Sequence, residues 1–253
     1  MSRPLDSSLQ AAPVAAVSRL RAGRLKPQPR TPQSTATRAK LVAIAERLFA
    51  ERGIEGVSLA DINKAAGQRN KNATHYHFGS KQGLLQAILD KHAPGIAARR
   101  HQLLDEMEAR GPLALGDIVH AFAWPVAEKL FDADGGRDFI RFNAQLVARL
   151  TLAAQQLHES GLRLGPLGRI TALLRAATPQ LPDALFHQRA MLASVLLFDG
   201  LADHSRMLEA SDGASPLLDT ELFIRTLEDA MTALFSAPVS AQAAARLASL
   251  TAA

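Results

Sequence analysis

The chain reads as an all-α protein in two parts, a small helix-turn-helix head followed by a larger helical domain. Three observations predict this. Apolar residues recur at i, i+3, i+4 and i+7 through most of the chain, and no segment alternates as a strand ladder would. Ala and Leu are abundant, and 47% of residues are apolar while only 5% are aromatic, a composition suited to close-packed helices. Between Ser58 and Phe78 a short capped helix, a glycine turn and a polar second helix follow one another. At 253 residues the chain can bury a sizeable core, as one large domain or two modest ones.

Taken in order, residues 1–33 form a basic N-terminal arm. Pro4, Pro13, Pro27, Pro29 and Pro32 interrupt it, and it carries six Lys/Arg against one Asp, so it is expected to be disordered. It does not read as a secretory leader, because its apolar run from Pro13 to Val17 is short and most of the charge follows it. Residues 34–92 carry nine Lys/Arg against five acids, and the remainder is net acidic, 14 against 18. A basic front and an acidic back suit a protein whose front meets phosphate.

Within 34–92, Leu41, Ile44, Ala45, Leu48 and Phe49 mark an amphipathic helix closing at Gly53. Ser58 is placed to cap the next helix, with Asp61 as its capping-box partner and Leu59, Ile62 and Ala66 on one face. Gly67 supplies the turn. A second short helix, from about Asn70 to Phe78, presents Arg69, Asn70, Lys71, Asn72, Thr74, His75 and Tyr76, groups that hydrogen-bond base edges and phosphates. Ser80 then caps a new helix opening with Lys81, Leu84 and Leu85.

This stretch resembles the N-terminal domain of the tetracycline-repressor (TetR) family. The resemblance rests on Phe49-Ala50-Glu51-Arg52-Gly53, Val57-Ser58-Leu59-Ala60-Asp61-Ile62, Ala66-Gly67, His77-Phe78, Lys81 and Leu84, within about a quarter of the chain. Two departures stand out. Asn63 occupies a position that is usually Ala, and the stretch from Gly67 to Phe78 is one residue longer than usual, with His75 at the habitual Tyr position and Tyr76 one later. The resemblance implies a dimeric, ligand-responsive transcriptional regulator, most often a repressor on a palindromic operator. Arg69, Asn70, Lys71, Asn72, Thr74, His75 and Tyr76 would contact bases and phosphates, while Ser58 and Lys81 would hold the DNA backbone.

The second part, residues 93–236, begins where Pro94-Gly95 is expected to kink or break the fourth helix, which resumes through Arg99, Leu103, Leu104 and Met107. A helix from about Leu115 to Phe131 carries His120, Trp124, Ala127 and Phe131 on one side. Its internal Pro125 leaves the carbonyl of Ala121 without a helical partner. After the turn Asp134-Gly135-Gly136, a helix over 137–154 spaces Phe139, Phe142, Leu146 and Arg149 helically, and another spans 166–176. Pro182 and Pro216 sit where first-turn prolines are favoured and open helices to about Leu208 and Phe235. With small Ala193, Gly200 and Ala230 among their apolar rows, these two helices are the expected homodimer surface. An Ala-rich segment, 237–253, ends the chain as a loosely held final helix or a tail.

His120, Trp124, Phe139, Phe142 and Arg149 are the expected lining of an effector cavity, aromatic walls with a few orienting polar groups. An ordinary aromatic core is the plainer reading of the same residues, and the family resemblance tips the balance. No cofactor or metal is expected. Cysteine is absent, no HExxH appears among the eight histidines, and His75 and His77 diverge on a helix. No nucleophile elbow, phosphate loop or dinucleotide fingerprint supports an enzyme. The longest apolar run, Ala190 to Phe198, is too short to span a bilayer, so a cytoplasmic protein is expected. Two competing readings are a helical small-molecule-binding protein or enzyme with an incidental basic N-terminus, and a sequence-blind chromosome-coating protein.

Overall fold

The computed structural model describes residues 32–152, 162–163, 167–210 and 218–251, and every regular element among them is helical. The arm expected over 1–33 lies outside the described residues up to position 31. Pro32 and Gln33 belong instead to the first turn of α1 (Pro32–Arg52). Proline is tolerated there because the N–H it lacks has no helical partner at that position. The helix stops where Gly53 turns into the left-handed region at φ +84°. Its buried face includes Leu41, Ala45, Leu48 and Phe49, and the helix packs on α2 (Leu59–Ala65), which in turn packs on α3 (Ala73–Phe78).

α4 (Lys81–Glu108) continues through Pro94 without the break that was one of its two expected effects. Pro94 and Gly95 are exposed, while Leu84, Leu85, Ile88, Leu89, Ile96, Leu103 and Leu104 are buried on the opposite side. An interior proline costs roughly 3 kcal/mol. Each fully buried Leu or Ile contributes about 1.5–3 kcal/mol, so the packed face outweighs the lost bond. The boundary between positions 92 and 93 therefore falls inside a helix shared by head and body.

α5 (Leu115–Ala127) also contains its proline, Pro125, and passes directly into a 3-10 turn at Glu128–Phe131 rather than continuing as α-helix. Gly135, at φ +77°, then leads into α6 (Gly136–Leu152). α7 (Gly168–Ala177), α8 (Asp183–Ala210) and α9 (Thr220–Ser236) complete the body, and α10 (Ala241–Thr251) buries none of its residues. α9 begins at Thr220 behind an Asp219 cap that accepts from the Leu222 amide at 2.7 Å; Ser215 and Pro216 lie outside the described residues.

α6 packs between α1 and α8, and α9 packs on α5 and α8. Of the small residues expected to bring two subunits together, Ala193 and Gly200 act within one subunit, while Ala230 is exposed. Ala193 is fully buried, and a Cβ on Gly200 would lie 3.6 Å from the Phe223 ring and 3.7 Å from Leu227, so Gly200 lets α9 approach α8 closely.

Candidate functional site

The head is built outward from a hydrogen-bonded turn. Ser58 caps α2 as the sequence predicts: its Oγ accepts from the Asp61 amide at 3.1 Å, and the Asp61 carboxylate accepts from the Ser58 amide at 2.9 Å. The Ser58 hydroxyl also donates to the Asp61 carboxylate at 2.6 Å, and this bond, followed by the one from the Ser58 amide, holds the Asp61 carboxyl below its ordinary range. Gly67, at φ +63°, ends the helix.

Asn63 then organises everything that follows. Its side chain is buried; its Oδ1 accepts from both the amide and the hydroxyl of Thr74, and its Nδ2 donates to the Lys71 carbonyl at 2.6 Å. Asn72, at the N-cap position of α3, makes no side-chain capping bond. Asn63 thus supplies from α2 the acceptor that a local cap would provide, satisfying an otherwise orphaned amide of the first turn. Within the turn, Asn70 Oδ1 accepts from the Asn72 amide at 2.9 Å, an Asx-turn.

This geometry revises part of the predicted contact face. α3 starts at Ala73, so Arg69, Asn70, Lys71 and Asn72 belong to the turn, not to the helix. Thr74 is fully buried with its hydroxyl bonded to Asn63, and it is not available to DNA; its role is to anchor α3. Arg69, Lys71, Asn72, His75 and Tyr76 are exposed, and Tyr76 projects with 76% of its surface free. Tyr76 and Asn70 also line a shallow groove whose other wall is Gln33 and Thr37 of α1, with Gln68 at the turn. The start of α1 therefore shares the face of α3, which helical periodicity could not reveal. Lys81 is half-buried, 4.0 Å from Glu55 and over the Phe49 ring.

Head and body meet along α1, α4 and α6. Glu46 is buried, bonded to His92 at 2.6 Å and to Lys91 at 3.0 Å, and Lys91 also reaches Asp134. Burial disfavours the Lys91 charge, but its hydrogen bonds to Asp134 and Glu46 outweigh that, and its pKa lies above the ordinary value. Gln145 of α6 closes the end of α1, donating to the Phe49 carbonyl at 3.0 Å and accepting from the Ile54 amide at 3.0 Å.

A cavity of about 160 Å³ lies between α4, α5, α6 and α8. Leu89, Ile96, Phe122, Phe139, Leu146 and Phe198 line it, with Asn143 and Arg100 among its polar groups. Of the five residues predicted to line an effector cavity, Phe139 does so here. Phe142 is fully buried against Phe49 of the head, with ring centroids 6.2 Å apart. Arg149 is exposed and pairs with Glu55 at 2.9 Å. His120 bonds Glu228 of α9 at 2.7 Å, and Trp124 donates to Glu128 at 2.7 Å. They stand at helix joints because residues 120 and 124 fall on a different side of α5 from Phe122 and Val126, which do reach the cavity.

Arg100 was missed, although a cation on the apolar side of α4, four residues after Ile96, was a legible signal. It is buried, and it donates to the carbonyls of Ala121 and Phe122 at 3.3 and 3.1 Å. The Ala121 carbonyl is the one Pro125 leaves without a helical amide. Desolvation alone lowers the guanidinium pKa to about 10, so Arg100 remains a cation at neutral pH.

A helix-turn-helix head with an exposed polar recognition segment, joined by one long helix to a helical body with an internal cavity, defines a DNA-binding regulator. Residues 41–88 match the family model described as bacterial regulatory proteins of the tetR family, and residues 120–233 match the tetracycline-repressor-like C-terminal domain. The HTH-type transcriptional regulator TtgR of Pseudomonas putida is 30% identical over 195 residues, covering 75% of this chain and 89% of that protein. The probable HTH-type transcriptional regulator ArpR, also of Pseudomonas putida, matches to the same extent, 30% over 195 residues. A solved structure, a putative TetR-family regulator from Rhodococcus sp., is 18% identical, covers 80% of this chain and 100% of its own, and has a TM-score of 0.41. The chain belongs to the TetR family: it is a ligand-responsive, DNA-binding transcriptional regulator. No helix among the described residues is long and apolar enough to cross a membrane.

Proposed function

We propose that the protein is a repressor that binds a palindromic operator as a homodimer and releases it when an apolar small molecule fills the cavity between α4, α5, α6 and α8. The observation that carries this reading is the continuity of α4. Its first turns pack under α3, and Leu89, Ala93, Ile96, Ala97 and Arg100 of the same helix line the cavity. A ligand in the cavity therefore acts on the element that supports the recognition segment. Two subunits would present Arg69, Lys71, Asn72, His75 and Tyr76 to successive major grooves about 34–36 Å apart, with Ser58 and Lys81 near the phosphates and Asn70 shaping the turn.

A ligand shifts the head only if it binds the two arrangements with different affinity. Operator DNA must then weaken ligand binding by the same factor, typically about five- to 150-fold. The test begins by mapping protected DNA upstream of the protein's own gene and its neighbours. Lipophilic compounds are then titrated against free protein and against the operator complex, with Trp124 fluorescence as the readout. Trp124 is the sole tryptophan and shares Glu128 with Arg99 of α4, so movement of α4 against α5 alters its surroundings. Quenching with unchanged operator affinity would refute the switch, and protection of unrelated sequences with equal affinity would refute operator specificity.

A further inference from the structure

Resting on the cavity reading above, we infer that the effector is an apolar-bodied anion, a carboxylate on a single aromatic ring, whose carboxylate is held by Arg100. The cavity walls are mostly hydrocarbon, with Phe122, Phe139 and Phe198 contributing rings. A volume of about 160 Å³ matches one such ring, since an apolar cavity of about 150 Å³ accommodates benzene. A hydrocarbon of that size would satisfy the walls but not Arg100.

Arg100 is 7% exposed, carries a charge and forms no ion pair among the described residues. A buried cation without an anion is costly, and its ordinary remedy is a charged partner. Its guanidinium has five N–H donors. Nε and Nη2 each donate one hydrogen to the Ala121 and Phe122 carbonyls. Nη1 makes no hydrogen bond among the described residues, and Arg100 lines the cavity. Together with the second hydrogen of Nη2, it offers the paired geometry that a planar carboxylate accepts. Phe122, 5.5 Å from the guanidinium, keeps that end of the side chain against the cavity wall.

Three probes of one size separate the possibilities: benzoate, its neutral counterpart benzamide, and toluene, each titrated calorimetrically at neutral pH into the full-length protein. Benzoate is expected to bind at least about tenfold more tightly than benzamide, the value of one charge-assisted hydrogen bond. Arg100→Met should abolish that preference, and Arg100→Lys should retain part of it. If Arg100→Met does not fold, the benzoate-to-benzamide ratio in the unaltered protein still decides. Equal binding of benzoate and benzamide, or tighter binding of toluene than benzoate, would overturn the anion assignment while leaving an apolar effector cavity intact. Binding of none of the three would overturn the assignment, and the cavity reading would then rest on the lipophilic titrations above, which do not depend on charge.

Discussion

Asn63 illustrates how one polar side chain can set the geometry of a recognition surface. It satisfies the amide and hydroxyl of Thr74 and the carbonyl of Lys71, spanning the turn between α2 and α3. Asn63→Ala would leave the buried Thr74 amide and hydroxyl unpaired, at a cost of about 1–3 kcal/mol. The expected outcome is a lower urea midpoint and weakened operator binding, with random-sequence DNA affected less. Unchanged operator affinity would deny Asn63 its positioning role. Lys71→Ala, at an exposed site, should lose about 1–3 kcal/mol on the cognate operator without a change in stability. An equal loss on random DNA would restrict Lys71 to phosphate contact.

At the scale of elements, α4 decides how the two parts communicate. Pro94 sits on its exposed side and removes one backbone hydrogen bond from an otherwise regular helix. Pro94→Ala should therefore stabilise the protein, by up to about 3 kcal/mol on propensity alone. A stiffer α4 should also reduce the drop in operator affinity caused by an effector. Chemical denaturation and operator titrations with and without effector check both halves. A destabilised variant would mean that the Pro94 ring makes contacts worth more than the bond it removes. The companion proline acts differently. Pro125 frees the Ala121 carbonyl, and Arg100 reaches across from α4 to take it, so a local defect in α5 becomes a tie between two helices.

Over the whole molecule, the faces of α8 and α9 divide cleanly. Leu197 and Leu227 are buried within the subunit, so charge placed there would disrupt folding rather than report on association. Met191, Leu192, Leu196 and Met207 of α8 and Leu222 of α9 are the exposed large apolar residues of these two helices among the described residues. They are the proposed dimer surface. Leu192→Glu combined with Leu196→Glu should yield a soluble, fully helical monomer with much weaker operator binding, measured by sedimentation and fluorescence anisotropy. A dimer that survives both changes would move the interface elsewhere, and an unaltered protein that sediments as one subunit at micromolar concentration would remove it.

Local chemistry settled much of this protein in advance. The Ser58–Asp61 capping box, the Gly53 and Gly67 stops and the apolar rows of α1 and α4 depend on neighbours a few residues away, and they are readable from spacing alone. The all-helical class and the helix-turn-helix followed from those signals and from the motif they compose. Tertiary structure decided what each side chain on a helix faces. Thr74 turned inward because Asn63 met it, Phe142 and Arg149 went to the joint with the head, and His120 and Trp124 to the seams beside α9 and the Glu128 turn. Helical periodicity fixes the angle between residues on one helix but not the direction in which a neighbouring helix lies. That direction, set by burial across long separations in sequence, placed Arg100 at the cavity and Pro94 in solvent.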